Sequence, residues 1–572
     1  MFCGLSLHAA DVYITPDSSL TDAVRKAREM RRLGQAGEVT IHLAAGTYHL
    51  YEPLFLRPED SGLTVEGNGA VISGGVAINA WKKQGALYVA DIPDFNGRPV
   101  DFRQLWVNQT KAIRANNVNE DWESMPRILT YDKKRHVLWV PREAVKKILK
   151  APYAEIVLHE MWCVSNLRIR TMTVQGDSVA LTFHNPEAKI QFEHPWPSPM
   201  TPNTGHPSPF YLTNAKELLD RPGEWYHDIL SHKLYYMPRG NEGTGGEALN
   251  AVYPVVETLF KVVGTPEHPV RDITFKGVTF SHTTWMRPSE KGHVPLQAGM
   301  YLTEAYKLRP QIDRLNNHKL DNQGWLGRAD AAVEVRYGEN VNFEGCRFEH
   351  LGGSGLDYVV GCRRGTTTRC TFRDIAMNGL VCGSFSPEGL ETHRPYRPTD
   401  YREVCTGQTI EQSEFYDVTN EDWGCVAICA GYVSDINIEH NTIHDVSYTG
   451  ISLGWGWNRD LVCMRNNRVH ANLIYNYAQH MYDCAGIYTL GNQPGTIISE
   501  NVVRDIASPS YVHDPNHWFW LYTDEGSSNI TIKNNWTPTD KYLQNANGPG
   551  NVWENNGPQV NEQIKNNAGI SK

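Results

Sequence analysis

A chain of 572 residues is far longer than one ordinary compact domain, so it folds as several domains or as one long repeat body. Its formal charge of −10 argues against nucleic-acid and anionic-membrane partners, which need clustered Lys and Arg. No apolar run reaches the ~18 residues of a membrane span, and G-x-S-x-G, HExxH, a phosphate-binding glycine loop and a calcium-type run of Asp are all missing.

Residues 1–10 form a short apolar run ending in Ala9-Ala10, the pattern of a secretory-signal remnant without its basic start, and predict a secreted or periplasmic protein. Residues 11–79 read as the capped start of a solenoid. Asp11–Ile14 is a strand, an amphipathic helix begins at Leu20, and Val39–Tyr48, Leu63–Gly67 and Ala70–Gly75 open the coils. The cap is needed because a first rung otherwise leaves unpaired backbone in water.

Across 80–250 the period is lost. Short strands at Leu87–Ala90, Gln104–Asn108, His136–Val140 and Glu155–Leu158 predict an inserted β-rich domain, with a hairpin from Gly223-Glu224-Trp225-Tyr226 to Lys233–Pro238. The main solenoid occupies 251–572. Phe280, Phe348, Phe372, Phe415, Ile443, Val469 and Val503 close similar phrases, as an apolar stack inside parallel coils requires. Asn441, Asn467, Asn501 and Asn535 recur at a turn, where Asn tolerates left-handed backbone and can bond to its own copy. Asp374, Asp417, Asp445 and Asp505 recur at another turn and read as structural. Nine of the eleven cysteines lie between Cys346 and Cys484, without metal-type spacing, and read as small buried residues.

Glycine-stopped runs mark the rungs: Thr449–Gly454, Met481–Gly491 and Trp520–Gly526. Extra chain enters just before these strands (282–330, 471–482, 507–517) or just after them (383–404, 455–460). Repeat proteins place such insertions on the binding face. The loops carry Glu388, His393, Arg394, Trp455, Trp457, Tyr477, His480, His513, His517 and Trp518. Of these, His393, Arg394, Trp455, His480 and Trp518, with Tyr522 on its rung, are the candidate substrate-binding side chains.

Sugar hydrolysis needs two carboxyl groups across one bond, one an acid and the other a nucleophile or base. Asp483 and Asp524 border the loop-walled face on consecutive rungs. Aligning Ile487 with Leu521 and Tyr488 with Tyr522 puts Asp483 before its strand and Asp524 after it, too far apart at ~3.3 Å per residue unless the chain turns sharply. Gly486 and Gly526 are the candidate turns. Asp422, Glu421, Glu525 and Asp357 are reserve carboxylates.

The capped start, the Gly-Glu-Trp-Tyr hairpin of the insertion, and the rungs Asp483-Cys484-Ala485-Gly486-Ile487-Tyr488 and Leu521-Tyr522-Thr523-Asp524-Glu525 resemble glycoside hydrolase family 141. The resemblance implies an all-β, right-handed parallel β-helix of the pectate-lyase-like kind, with Asp483 and Asp524 as catalytic aspartates and no metal or organic cofactor. The family includes α-L-fucosidases acting on pectic side chains, and xylanases. The leading expectation is therefore an exo-acting α-L-fucosidase on pectic (rhamnogalacturonan-type) oligosaccharide. A xylanase or xylosidase, a uronate polysaccharide lyase using His393, Arg394 or Arg397, and a non-catalytic glycan-binding solenoid are the alternatives.

Overall fold

The computed structural model describes residues 9–571 apart from 195–196, 245–248, 306, 309–321, 388–389 and 545–547, so Glu388 and most of the signal-like start lie outside the described residues. The body is a right-handed parallel β-helix built on three long sheets of twelve, ten and nine strands. Each coil contributes a strand to the nine-stranded sheet, then to the ten-stranded sheet, then to the twelve-stranded one. One complete turn runs through Leu473–Tyr477, Cys484–Thr489 and Asn492–Ser499.

The N-terminal end is closed by the helix Leu20–Arg32. Ser19 caps it by accepting from the Asp22 backbone N–H (3.1 Å), and Leu20, Ala23, Val24 and Ala27 are buried. Arg28 forks onto the buried Asp60 at 2.9 and 2.7 Å, fixing the helix to the next coil.

Inside the coil, identical side chains stack one rung above another. Phe348, Phe372 and Phe415 lie almost parallel, with ring centroids 4.6 and 4.4 Å apart. The ladder continues through Ile443, Ile474 and Val503. Val469 is not part of it: it pairs with Ile438 and Ile498 in the twelve-stranded sheet, and Ile474, five residues on, takes the expected place. The asparagine stack is corrected in the same way. Asn441, Asn472, Asn501, Asn535 and Asn556 bond side chain to side chain at 2.8–3.0 Å, whereas Asn467 turns toward Gln493 and Thr496. The left-handed residue at each of these turns is the one before the Asn (His440, Ala471, Glu500, Asn534, Asn555). The Asn is therefore selected for its amide, which satisfies buried backbone carbonyls such as those of Ile410, Ile438 and Val469. Asn501→Ala is expected to cost about 1–3 kcal/mol, because it orphans buried polar groups on both neighbouring rungs, and to appear as a lower thermal midpoint.

Asp374, Asp417, Asp445 and Asp505 all hold left-handed backbone at their turn. The described cysteines, Cys163 to Cys484, are all free and buried.

The chain leaves the β-helix after strand Ala70–Ser73 and rejoins it at Phe260–Val263. Strands Gly75–Ile78 and Ala251–Pro254 pair antiparallel as the stem of this excursion. Between them lie a five-stranded sheet, which includes the hairpin Glu224–Asp228/Lys233–Tyr236, and a six-stranded sheet. Each has its own apolar core, and the one beneath the six-stranded sheet takes in Val294, Leu296 and Leu302 from the later excursion. Both excursions leave between the nine- and ten-stranded sheets, so they rise beside the same edge of the ten-stranded sheet.

Candidate active site

Asp483 lies just before strand Cys484–Thr489, and Asp524 just after strand Trp518–Thr523, in adjacent rungs of the ten-stranded sheet. Two tyrosines close the gap between them. Tyr488 and Tyr522 are cross-strand partners whose rings meet edge to face at 4.9 Å. Tyr522 donates its hydroxyl to Asp483 Oδ1 at 3.2 Å, and Tyr488 donates to Asp524 Oδ2 at 2.6 Å. Each rung thus holds the carboxylate of the other. A sheet needs two side-by-side aromatic side chains to do this, and parallel register supplies them.

The sharp turn is made by Asp483 itself, at φ +54°. Gly486, expected to turn the chain, sits within the strand instead. A Cβ there would meet Val503 Cγ1 at 2.3 Å, so Gly486 is required by close packing on the neighbouring sheet. Gly526 does turn: it has φ +78°, and a Cβ would lie 2.1 Å from the Asn458 carbonyl oxygen. The Asp483 backbone is also fixed, with its N–H donating to His517 O (2.7 Å) and its carbonyl accepting from Tyr448 Oη (2.8 Å).

The two carboxyl groups sit in unequal surroundings. Burial pushes the Asp524 carboxyl up to about 6; the Tyr488 hydrogen bond pulls it down, and the negative charge of Asp483 adds to the rise. Asp483 faces His517 Nε2 at 3.0 Å, and this contact raises the imidazole above its usual value despite partial burial. The raised proton affinity of Asp524 suits a general acid, while Asp483 accepts from a phenol and faces an imidazole.

Loop 507–517, which carries His517, is braced by the inserted domain. Arg127 Nη2 donates to Tyr511 O (2.9 Å), Ser510 Oγ donates to Glu123 (2.5 Å), and His513 Nδ1 meets His206 O at 3.0 Å. The insertion thereby forms a wall at the Asp483 end of the strand.

Other expected residues separate into those near the pair and those elsewhere. Trp518 pairs with Cys484, next to Asp483, and carries Lys541 Nζ 3.6 Å over its ring. Tyr522 is a direct partner of Asp483. His480 stacks on Trp423 at 4.2 Å and bonds Tyr511 Oη at 2.7 Å, and burial lowers it to about 3, so it is a neutral packing hub between insertion and coil. Trp455 and His393 are 1% exposed. The Trp455 indole donates to Thr392 Oγ1 (3.1 Å) and the His393 ring pairs with Glu391, so both brace the loop after the strand rather than presenting a face to a ligand. Arg394 is half-buried beside them, its carbonyl accepting from Tyr432 Oη at 3.4 Å. Arg397 is tied to Leu461 O (2.8 Å).

Among the reserves, Glu525 follows Asp524 on the same turn, where its backbone N–H holds the Asp524 carboxylate and so lowers that group's proton affinity more than its charge raises it. Asp357 is buried against Arg328 (2.9 Å) on a different rung and is pushed up to about 7 by that burial. Glu421 and Asp422 open onto a different cavity, under the insertion: Glu421 bonds Lys111 (2.5 Å) and Asp422 bonds His293 (2.8 Å). Tyr488 and Tyr448 had no assigned role in the sequence; for Tyr488 the available signal was its match with Tyr522 on the next rung. Among the described residues no cluster of three or more His, Cys, Asp or Glu side chains is arranged to hold a metal ion, and no helix is long and apolar enough to cross a membrane.

The inserted domain decides the lineage. Residues 85–239 match the family model described as the GH141 insertion domain, and a solved structure named "Glycoside hydrolase" is 57% identical with a TM-score of 0.95, covering 98% of this chain and 99% of that one. The chain belongs to glycoside hydrolase family 141. Among curated proteins none matches it. Remote likenesses to this family 141 chain include PfbA, a surface adhesin of Streptococcus pneumoniae (11% identity, 94% and 88% of the two chains, TM-score 0.34). A family 28 exopolygalacturonase of Yersinia enterocolitica is another (8% identity, 96% and 78%, TM-score 0.28). Both are too distant to inform the chemistry of a family 141 site.

Proposed function

We propose that this glycoside hydrolase is an exo-acting α-L-fucosidase on pectic oligosaccharides, working outside the cytoplasm, with Asp524 as general acid and Asp483 as the opposing nucleophile or base. The carrying observation is the crossed pairing of two carboxylates by Tyr488 and Tyr522, with burial pushing Asp524 up to about 6. In that reading Asp524 protonates the departing glycosidic oxygen while Asp483 acts on the anomeric carbon, directly or through water. Tyr522 and His517 hold Asp483 in place, so its carboxylate is oriented before the sugar arrives. The insertion-braced wall at the Asp483 end supports removal of a terminal sugar rather than attack within a long open groove. The fucose and pectin assignments rest on what family 141 is known to include.

The test is hydrolysis of 4-nitrophenyl glycosides of α-L-fucose and β-D-xylose, followed by fucosylated pectic oligosaccharides. Fucose release with little xylose release supports the assignment; the reverse preference makes the enzyme a xylosidase.

A pH dependence follows. A general acid is active only while protonated, so kcat falls as pH rises through about 6. Tyr488→Phe removes the hydrogen bond that favours the Asp524 anion, so its alkaline limb moves to higher pH, while kcat at the optimum drops about 10- to 100-fold from lost positioning. Pre-steady-state pH profiles of both proteins check this; an unmoved limb would show that Asp524 is not the group titrating.

A further inference from the structure

A cavity of about 490 Å³ lies between the inserted domain and the β-helix, lined by none of Asp483, Tyr488, Tyr522 or Asp524. That volume falls in the range of small-molecule sites. Its walls combine the aromatic side chains of Trp122, Trp285 and Trp423 with a ring of charged groups.

Each Lys and Arg of that ring already meets a carboxylate. Arg103 and Arg114 share Glu155 at 3.0 and 2.9 Å, Lys111 bonds Glu421 at 2.5 Å, and His350 bonds Asp374 at 2.6 Å. A bound anion would have to break one of these pairs. The cavity also holds unsatisfied polar atoms. His293 is 3% exposed and gives Nε2 to Asp422 (2.8 Å), yet its Nδ1 has no hydrogen-bond partner among the described residues. Asn166 lies beside it, paired to it backbone to backbone at 2.8 Å in both directions, and its buried Oδ1 is likewise without a partner there. Buried polar atoms normally find partners, so two neighbouring ones at a cavity wall mark where a ligand's hydroxyls would sit. Flat apolar faces, paired charges and spare hydrogen-bonding atoms together suit one ligand chemistry, an uncharged sugar ring.

We propose that this cavity is a second, non-hydrolytic site for a neutral sugar unit, held by Glu421, Asp422–His293 and Asn166 and stacked on the indole walls. It goes beyond the catalytic reading and does not depend on it.

The full-length Asp483→Asn/Asp524→Asn protein, in which the proposed catalytic pair is disabled, is probed by saturation-transfer NMR. The probes are methyl α-L-fucopyranoside, methyl β-D-xylopyranoside and methyl α-D-galacturonoside. At least one neutral glycoside is expected to bind, about tenfold or more tighter than the galacturonoside, because burying its carboxylate without a free cation is unfavourable. Adding Glu421→Gln, and separately Asn166→Ala, should weaken that binding with the thermal midpoint and circular dichroism retained. Soaked crystals should show the sugar against Trp285 and His293. Density running from there to the Asp483 end in an oligosaccharide soak would identify the occupant as a branch of the substrate; an isolated ring would identify a separate ligand. Water alone in the soaked cavity, tighter binding of the uronide, or binding untouched by both substitutions overturns the proposal, and none of these bears on hydrolysis by the wild type.

Discussion

Asp524→Asn is expected to lower kcat/KM on a natural fucosylated oligosaccharide by about 10²–10⁴-fold, yet to affect 4-nitrophenyl α-L-fucoside far less. General acid catalysis is worth about that factor when the leaving group is a sugar alkoxide, and a nitrophenolate departs without needing the proton. Asp483→Asn is expected to abolish activity on both substrates, since the attack at the anomeric carbon is common to them. The amide retains an oxygen that can accept from Tyr522, so the rung geometry is preserved while the charge is removed. The double variant should fall little below Asp483→Asn alone, because residues acting in one step are not additive. Steady-state kinetics on the two substrates decide this. Equal losses on both substrates for Asp524→Asn would deny it the acid role, and full activity in either variant would remove that residue from the mechanism.

Phe372→Ala is expected to destabilise the β-helix by about 3–5 kcal/mol. The ring is fully buried and sandwiched between Phe348 and Phe415, so truncation leaves a void that both neighbours border. In a solenoid each rung is held by the two beside it, so the loss reaches three coils. Phe55→Ala is the matched control, because that ring is 43% exposed and its loss should stay within ~0.5 kcal/mol. Thermal unfolding of both variants measures the contrast. Equal midpoints would mean that the aromatic stack contributes no more than surface.

The stack was legible in the sequence because parallel register places like on like, and Phe348, Phe372 and Phe415 repeat without interruption. Legibility failed where two sheets offer equivalent phrases five residues apart. Val469 and Asn467 belong to one corner, Ile474 and Asn472 to the next, and both corners are written as Asn, one residue, then a β-branched residue.

At the site, Asp483 and Asp524 were marked as candidates by their place beside the insertion-bearing edge, but how the chain could relate them was not legible. A strand counted as extended keeps them apart, whereas the Tyr488–Tyr522 pair links the two carboxyl groups and left-handed backbone turns the chain at Asp483. Gly486 was misread because glycine serves both turns and close packing, and composition does not tell the two apart. Trp455 and His393 looked like ligand groups because they lie in a long loop. That loop folds back on itself, and packing takes them. The converse held for Trp423 and His480, where an aromatic stack joins the segment before one rung to the insertion 471–482 before a later one.

The most direct test of the account is product analysis after the wild-type enzyme acts on a fucosylated pectic oligosaccharide in ¹⁸O-labelled water. Hydrolysis between the two aspartates predicts free fucose carrying one label at its anomeric oxygen and no ultraviolet-absorbing unsaturated sugar. An unsaturated uronide without solvent label would contradict it and make the reaction an elimination.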